Sequence, residues 1–282
     1  MRSPQPSIIK KVTLRVHDLG GTLAFYRDVV GLQLVGQAGG RATLGHAGQG
    51  VVDWGVDLLE LEEDRGAPPR RRDEAGLFHV AFRLPHERHL AQALRRITGR
   101  HRLEGAADHG FSRALYLRDP EGNGVEIYVD RPEEEWPREP SGRLALFSRP
   151  LDLQALLGAH EGRAASIPPG VDVGHVHLEV ASIAEARAFC VELLGLQVTG
   201  DGGGVLFVAH GGYHHHVGLN TWGGRPRPRR PDALGLQKIS ASSPTGAQAS
   251  LDGARRLGLS ASRVDGRIEV VDPSGITWVI GA

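Results

Sequence analysis

An internal repeat constrains this chain more than any other feature of its sequence. Residues 12–32 align without gaps with residues 176–196, and the matched pairs include Phe25 with Phe189 and Gly31 with Gly195. Each segment opens with five residues that alternate apolar and polar, which is typical of a half-buried strand. Apolar residues at helical spacing follow and stop at the glycine, as at a helix C-terminus. The repeat therefore predicts a strand and then a helix at two places in the chain.

Two weaker copies extend this pattern. Strand-like and then helix-like segments occupy residues 77–97 and residues 236–257. In each copy an Asp-Pro-x-Gly turn between strands follows, at Asp119 and at Asp272. The sequence thus predicts an α+β fold of four modules, each with one strand, one helix and about three strands, over residues 9–62, 76–130, 173–222 and 234–281. We expect two modules in each of two domains, with the boundaries 8–130 for the first domain, 131–169 for a linker and 170–282 for the second domain.

The composition favours a globular protein. The chain has 282 residues, of which 40% are hydrophobic, and its 33 basic side chains balance 33 acidic ones. This neutrality argues against nucleic acid or an anionic membrane as the main partner, and no apolar run approaches the ~18–20 residues that span a bilayer. The single cysteine, Cys190, cannot form an internal disulfide, and the first residues lack the apolar stretch of a signal peptide. We therefore expect a cytoplasmic protein.

Three residues form a candidate set of metal ligands. His79 and His175 lie near the start of the first strand of the second and third modules, and Glu126 stands between two apolar residues on a later strand. The fourth module has Lys238 and Thr277 at the corresponding positions. Two histidines and one carboxylate are the donors of a facial triad, which leaves positions on Fe(II) open. Taken singly, each residue also has a structural interpretation, as a satisfied strand histidine or as a carboxylate on a solvent-facing side.

A run of histidines provides a further candidate. Residues 213–220 read Tyr-His-His-His-Val-Gly-Leu-Asn. On a strand, His214 and His216 share one face and His215 points to the other, so at least one of them faces inward if the sheet buries one side. The alternative is a surface histidine run. A later basic, Pro-rich stretch, residues 225–231, is predicted to be a solvated loop between the third and fourth modules.

The segment 108–126 carries a resemblance to a known family. It holds, in this order, His109, Leu115-Tyr116, Asp119-Pro120, Gly122 and Glu126. The order resembles the signature of the extradiol ring-cleaving dioxygenases, and the four modules resemble the βαβββ units of the vicinal-oxygen-chelate superfamily, which also includes glyoxalases and bleomycin resistance proteins. The overall layout is most similar to the bacterial two-domain catechol-2,3-dioxygenases. One departure is Ala107, where the signature has a different set of residues.

The resemblance implies a fold, a cofactor and roles for individual residues. Each domain would consist of two βαβββ modules with a cupped mixed sheet. Fe(II), with Mn(II) as an alternative, would be held by His79, Glu126 and His175. His215 would be the acid–base residue, and Tyr116 and His109 would lie around the substrate oxygens. The partners would be a small aromatic diol and O2, and the product a hydroxymuconic-semialdehyde type compound. The assembly state stays open, with a homo-oligomer among the options.

The order of the modules leaves alternatives open. In the usual family order the ligands come from the third and fourth modules, whereas here they come from the second and third. Either these two modules pair to build one site, or the first and second modules pair and His175 lies in the other domain. A glyoxalase-like lyase or transferase and a non-catalytic binding protein of the same superfamily are the alternative functions.

Overall fold

The computed structural model describes residues 7–46, 56–140, 142–224 and 226–281. In these residues the elements repeat in the predicted order of strand, helix and three strands. The first module consists of β1 (Ile9–Val16), α1 (Leu19–Phe25), β2 (Gln33–Ala38), β3 (Arg41–His46) and β4 (Val56–Glu63). The second consists of β5 (Gly76–Leu84), α2 (Glu87–Ile97), β6 (Gly105–Asp108), β7 (Ser112–Arg118) and β8 (Gly124–Asp130).

The predicted linker has short elements of its own. It contains a 3₁₀ turn (Glu133–Glu135), β9 (Arg149–Pro150) and α3 (Leu153–Ala159). Strand β9 pairs with β6 in antiparallel orientation, and α3 packs on α2. Much of this segment is therefore ordered against the second module, even though its composition suggested a connection.

The third and fourth modules repeat the pattern. The third consists of β10 (Asp172–Glu179), α4 (Ile183–Ala188), β11 (Gln197–Gly202), β12 (Val205–Ala209) and β13 (Val217–Asn220). The fourth consists of β14 (Gly235–Ser242), α5 (Ala247–Arg256), β15 (Ala261–Val264), β16 (Arg267–Val271) and β17 (Thr277–Gly281). Every helix in the described part of the chain is too short or too polar to cross a membrane.

Two mixed sheets combine strands from different modules. The eight-stranded sheet has the order β15-β16-β17-β14-β1-β4-β3-β2 and so takes its strands from the first and fourth modules. The nine-stranded sheet has the order β11-β12-β13-β10-β5-β8-β7-β6-β9 and takes its strands from the second and third modules and from β9. The first strand of a module pairs in parallel with the last, as β5 does with β8 and β10 with β13. Of the two arrangements left open by the sequence, the second and third modules share a sheet.

The chain also divides into two compact units. One comprises Met1–Arg15, Gly66–Phe78 and Gly174–Ala282, and the other comprises Val16–Arg65 and His79–Val173. Each unit contains strands of both sheets. The domain boundaries expected from the sequence, 8–130 and 170–282, stay a prediction.

Local sequence signals explain where the repeated helices begin and end. The Asp18 carboxylate accepts a hydrogen bond from the Gly21 N–H at the start of α1, and the Ser182 hydroxyl caps α4 in the same way. Both helices continue into a π-helical turn, Tyr26–Val30 after α1 and Phe189–Leu193 after α4. Gly31, with φ of 90°, ends the first of them, because glycine adopts this left-handed conformation without strain. The predicted helix end is thus confirmed, with a wider last turn than periodicity indicates.

The two Asp-Pro-x-Gly segments form turns between antiparallel strands, as predicted. Asp119 accepts hydrogen bonds from the Glu121 and Asn123 N–H groups and links β7 to β8. Asp272 accepts from the Ser274 and Ile276 N–H groups and links β16 to β17. An aspartate that bonds the backbone two and four residues on organises a tight turn, which accounts for both segments.

Candidate metal and substrate site

A histidine and a carboxylate meet on neighbouring strands of the second module. His79 lies on β5 and Glu126 on β8, and the His79 Nε2 to Glu126 Oε2 distance is 3.0 Å. His79 is 7% exposed and Glu126 is 3% exposed. Residues on both sides of Glu126 along β8 are buried as well, so the interpretation of Glu126 as a carboxylate on a solvent-facing side is wrong. A buried carboxylate is costly unless a positive group or hydrogen bonds compensate it, which makes this position suited to a cation.

The third candidate ligand, His175, lies on β10 and is 2% exposed. One ligand-capable atom from each of His79, Glu126 and His175 lies within 4.8 Å of the others. Two imidazole nitrogens and one carboxylate oxygen are a donor set that suits Fe(II) or Mn(II) and leaves coordination positions for other molecules. The residues present therefore fit the metal that the sequence resemblance implies.

A tyrosine and a histidine accompany the pair on the second module. Tyr116 on β7 is directly opposite Glu126 in the ladder between β7 and β8, and its hydroxyl lies 2.8 Å from His109 Nε2. His109 Nδ1 lies 3.1 Å from the carbonyl oxygen of Phe147. Because a carbonyl only accepts, His109 Nδ1 carries the proton, and in the neutral ring Nε2 accepts from the Tyr116 hydroxyl. The result is a chain of hydrogen bonds from Tyr116 through His109 to the backbone.

The environment of Tyr116 keeps its phenol protonated. Burial, followed by the nearby Glu126 carboxylate, raises the pKa of Tyr116 well above its ordinary value of 10. Both causes disfavour a negative phenolate beside a negative carboxylate. In this state Tyr116 is a hydrogen-bond donor with an acceptor, His109, already in place.

Sequence reasoning missed the Phe147 carbonyl, because a backbone acceptor leaves no residue-type signal. The geometry around it is tight. A Cβ on Gly110, whose φ is 79°, would lie 2.4 Å from the Phe147 ring and 2.7 Å from Pro137. Glycine at this position therefore lets the segment that carries Phe147 approach His109 closely. Phe111 is 4% exposed and stacks on His109.

The histidine run lies just before a strand. Residues 213–216 precede β13, which begins at Val217, so the prediction of three consecutive histidines within a strand is wrong. The backbone still joins its neighbours, since His216 N–H donates to Val208 and the His216 carbonyl accepts from Val176. The surface interpretation of the run is also wrong, because the three histidines are 1%, 7% and 2% exposed in chain order.

His215 faces the rings of the third module. Its ring centroid lies 4.1 Å from that of His175 and 4.6 Å from that of Phe207. His214 and His216 both contact the ring of Tyr213. The His214 centroid also lies 4.7 Å from that of His215 and 6.4 Å from that of His175. The predicted division, with His215 on one face and its two neighbours on the other, is therefore wrong, because the His214 and His215 Nδ1 atoms lie 2.7 Å apart.

The corresponding positions in the fourth module carry different chemistry. Lys238 and Thr277 stand opposite each other in the β14–β17 ladder, and Lys238 Nζ lies 3.7 Å from Glu269 Oε2. This ion pair is largely exposed, in contrast to the buried His79 and Glu126. The strand register corrects one of the two expected counterparts. Glu126 pairs with Ala81, and the equivalent pair in the fourth module is Ser240 with Val279, so the residue at the position of Glu126 is Val279 and not Thr277. The fourth module thus has a lysine and a valine where the second has a histidine and a carboxylate.

Comparison with known proteins agrees with this arrangement. Residues 8–127 match the model of the Glyoxalase/Bleomycin resistance protein/Dioxygenase superfamily. A Bacillus subtilis (strain 168) protein named catechol-2,3-dioxygenase is 37% identical over 277 residues, which cover 95% of each chain.

Solved structures share the fold at low sequence identity. One of a putative dioxygenase from Bacillus subtilis subsp. subtilis str. 168 has a TM-score of 0.66 and 15% identity over 98% of this chain and 85% of that one. Another, of glyoxalase I from Zea mays, has a TM-score of 0.59 and 14% identity over 96% and 91% of the two chains. The chain therefore belongs to the glyoxalase/bleomycin resistance protein/dioxygenase superfamily.

Proposed function

We propose that the protein is an Fe(II)-dependent extradiol dioxygenase that cleaves the ring of catechol or a substituted catechol beside the two hydroxyl groups. The observation that carries this proposal is the grouping of ligand atoms from His79, Glu126 and His175 within 4.8 Å of one another. The 37% identical relative named catechol-2,3-dioxygenase supports the choice of reaction. Both atoms of O2 enter the hydroxymuconic-semialdehyde type product, so the reaction needs no external reductant.

His79, Glu126 and His175 would hold the metal. When bound, Fe(II) supplies Lewis acidity toward the diol oxygens and a path for electrons between diol and O2. With one carboxylate and two neutral histidines, these residues bring a single negative charge to a divalent ion, so the site keeps a net positive charge that attracts a deprotonating diol. Mn(II) suits the same donors.

Tyr116 and His109 would remove a proton from one diol oxygen. The Tyr116 hydroxyl donates to His109 Nε2 at 2.8 Å. When Tyr116 accepts a proton from a diol hydroxyl, it can pass its own hydroxyl proton to His109 Nε2. The His109 proton at Nδ1 is held by the Phe147 carbonyl at 3.1 Å, which stabilises the imidazolium that forms. Tyr116 thereby ends the transfer as a phenol, with the proton on His109.

His215 would be the acid–base residue. Its ring stacks near that of His175, with 4.1 Å between centroids, and is 7% exposed. A histidine in this setting can hydrogen-bond a negatively charged oxygen and later deliver a proton to it. The ring of Phe207 packs against that of His215, with 4.6 Å between centroids.

The experiment is an anaerobic reconstitution. Protein purified without oxygen is loaded with Fe(II) and catechol and then exposed to air, while the visible spectrum and O2 concentration are followed. A yellow ring-fission product and about one O2 per catechol are expected. With labelled O2, both labelled atoms should appear in the product. His79→Ala, Glu126→Gln and His175→Ala should each abolish the reaction and metal retention.

The fourth module provides matched controls. Lys238→Ala changes the position that corresponds to His79, and Thr277→Ala changes its partner in the β14–β17 ladder. Both variants should keep turnover and metal content at the wild-type level. A protein that binds the metal but forms no product would favour the glyoxalase-like or binding alternatives. Failure of the wild-type protein to retain metal would contradict the ligand set itself.

A further inference from the structure

The first two histidines of the run, His214 and His215, are hydrogen-bonded to each other. The Nδ1 atoms of His214 and His215 are 2.7 Å apart. Side chains of adjacent residues in a regular strand point to opposite faces and cannot make this contact. It forms here because residues 213–216 precede β13 and have an irregular backbone. This arrangement was not visible from the sequence, which predicted a continuous strand.

A bond between two Nδ1 atoms restricts both rings. A neutral imidazole has one N–H donor and one acceptor nitrogen, so a 2.7 Å contact between two Nδ1 atoms is attractive only when one of them carries the proton and the other does not. The tautomer of His215 is then tied to that of His214. Its Nδ1 is engaged by His214, and Nε2 becomes the nitrogen through which His215 meets an oxygen of the substrate.

His214 is itself held firmly. Its ring lies 4.0 Å from that of Tyr213, at an interplanar angle of 33°. Its carbonyl accepts a hydrogen bond of 2.6 Å from the Thr199 hydroxyl on β11. The residue is 1% exposed. A group fixed by stacking, backbone bonding and burial can transmit its orientation to a neighbour, whereas a mobile group cannot.

On its other side, His215 is confined by two rings. Phe207 and His175 lie 4.6 Å and 4.1 Å from it, centroid to centroid. These contacts limit the tilt of the His215 ring but do not fix its flip, since stacking is similar after a half-turn that exchanges Nδ1 with Cδ2 and Nε2 with Cε1. The hydrogen bond from His214 supplies that distinction.

We propose that His214 is a positioning residue, which sets the ring flip and tautomer of His215 through the Nδ1–Nδ1 hydrogen bond. This inference rests on the proposed role of His215 as the acid–base residue. It parallels the general arrangement in which a third group orients the base that acts on the substrate. His214 does not itself touch the substrate.

Three variants separate positioning from packing. His214→Phe keeps an aromatic ring for Tyr213 to stack on but removes both nitrogens. His214→Asn restores a polar group near the place of Nδ1. His216→Phe is the matched control, because His216 is buried and also contacts Tyr213, while its Nδ1 accepts a hydrogen bond from the His210 N–H. Thermal unfolding and iron content are measured for each variant.

The expected kinetics are specific to orientation. His214→Phe should lower kcat for ring cleavage by ~10–100-fold, the range for losing a group that orients a reactive side chain, with KM for the diol within about twofold of wild type. His214→Asn should recover most of kcat, and His216→Phe should keep it. An unchanged kcat in His214→Phe, or an equal loss in His216→Phe, would overturn the proposal.

A spectroscopic test is independent of turnover. In metal-free protein with ¹⁵N-labelled histidine, imidazole nitrogen shifts report which ring nitrogen carries the proton. His214→Phe should change the tautomer signature of His215, and His216→Phe should leave it as in the wild type. If the His215 signature is the same in all three proteins, His214 does not set it. This result would refute the positioning role even if ring cleavage is found, and a change would support that role even if no dioxygenase activity is detected.

Discussion

Replacing Gly253 with alanine tests how tightly α5 packs on the π-helical turn that follows α4. A Cβ at Gly253 would stand 2.4 Å from the Glu192 carbonyl oxygen and 2.8 Å from the Leu193 Cα, where ordinary contact begins near 3.4 Å. Both atoms belong to the backbone, so no side-chain rotation relieves the overlap. Helix α5 would have to retreat by roughly 1 Å, which opens the packed surface beneath it.

Two effects of opposite sign decide the outcome. Alanine in a helix interior is favoured over glycine by ~1 kcal/mol, and overpacking against a fixed surface costs ~1–3 kcal/mol. Because the overlap is with backbone and is deep, the cost should lie at the upper end, and we expect a net destabilisation of ~2 kcal/mol. Gly158 in α3 is the matched control, since a Cβ there would meet nothing within 4 Å. Gly158→Ala should stabilise by ~0.5–1 kcal/mol.

Thermal unfolding followed by circular dichroism measures both variants. At ~2–4 °C per kcal/mol for units of this size, Gly253→Ala should lower the midpoint by ~4–8 °C, and Gly158→Ala should raise it slightly. If Gly253→Ala matched or exceeded the wild-type midpoint, the close approach of α5 to Glu192 and Leu193 would be wrong. A fall for both variants would mean that the expected benefit of alanine in these helices is absent.

Three further changes concern buried polar groups. Burial raises the pKa of Asp272 to about 6 against ~3.9 in an unfolded chain, so this group contributes ~3 kcal/mol of stability below about pH 4 that is lost as the pH rises through 6. In urea titrations, the stability of Asp272→Asn relative to wild type should therefore rise by about that amount between pH 4 and pH 7. A difference that stays constant with pH would contradict this reasoning. Tyr26→Phe removes the hydroxyl that donates to buried Asp119 at 3.0 Å and should cost ~1–3 kcal/mol in the same assay, a smaller loss indicating that the bond is replaced. Fe(II) should raise the unfolding midpoint of the wild-type protein but not of Glu126→Gln, because a ligand that binds only the folded state stabilises it; an equal rise in anaerobic calorimetry would exclude Glu126 as a ligand.

Local features of the fold could be predicted from the sequence, and long-range ones could not. The alternation in residues 12–16 and the glycine at Gly31 are local signals, and they predict a strand and a helix end that the structure has. The sharing of sheets between modules depends on contacts between residues far apart in the chain, which no local pattern encodes. The solvated loop predicted at 225–231 is a loop in its described residues and is exposed at Arg227 and Pro228. Arg229 departs from the prediction, since it is 6% exposed and donates to the Ala233 carbonyl; Arg225 lies outside the described residues.

The candidate site shows the same division. His79 could be proposed because its residue type contrasts with Lys238 at the matched position, a comparison that the repeat makes available. Glu126 is aligned with Thr277 in the sequence, although the strand register matches its position with Val279. The bond between His214 and His215 could not be proposed, because it needs a departure from strand geometry that alternation does not reveal. Residue identity thus indicates which groups are available, and backbone irregularity decides which of them meet.

The pairing of β1 with β14 leaves β1 without one of its partner strands during most of the chain's synthesis. Ile9 pairs with Ala241, so the first strand leaves the ribosome long before its partner is synthesised. At ~5–20 residues per second, the wait is roughly 10–50 s. During this time one edge of β1 is open, and open edges invite pairing with other chains. Growing chains of this protein are therefore exposed to mispairing until the fourth module emerges. Chaperones that cover a strand edge during synthesis should raise its soluble yield.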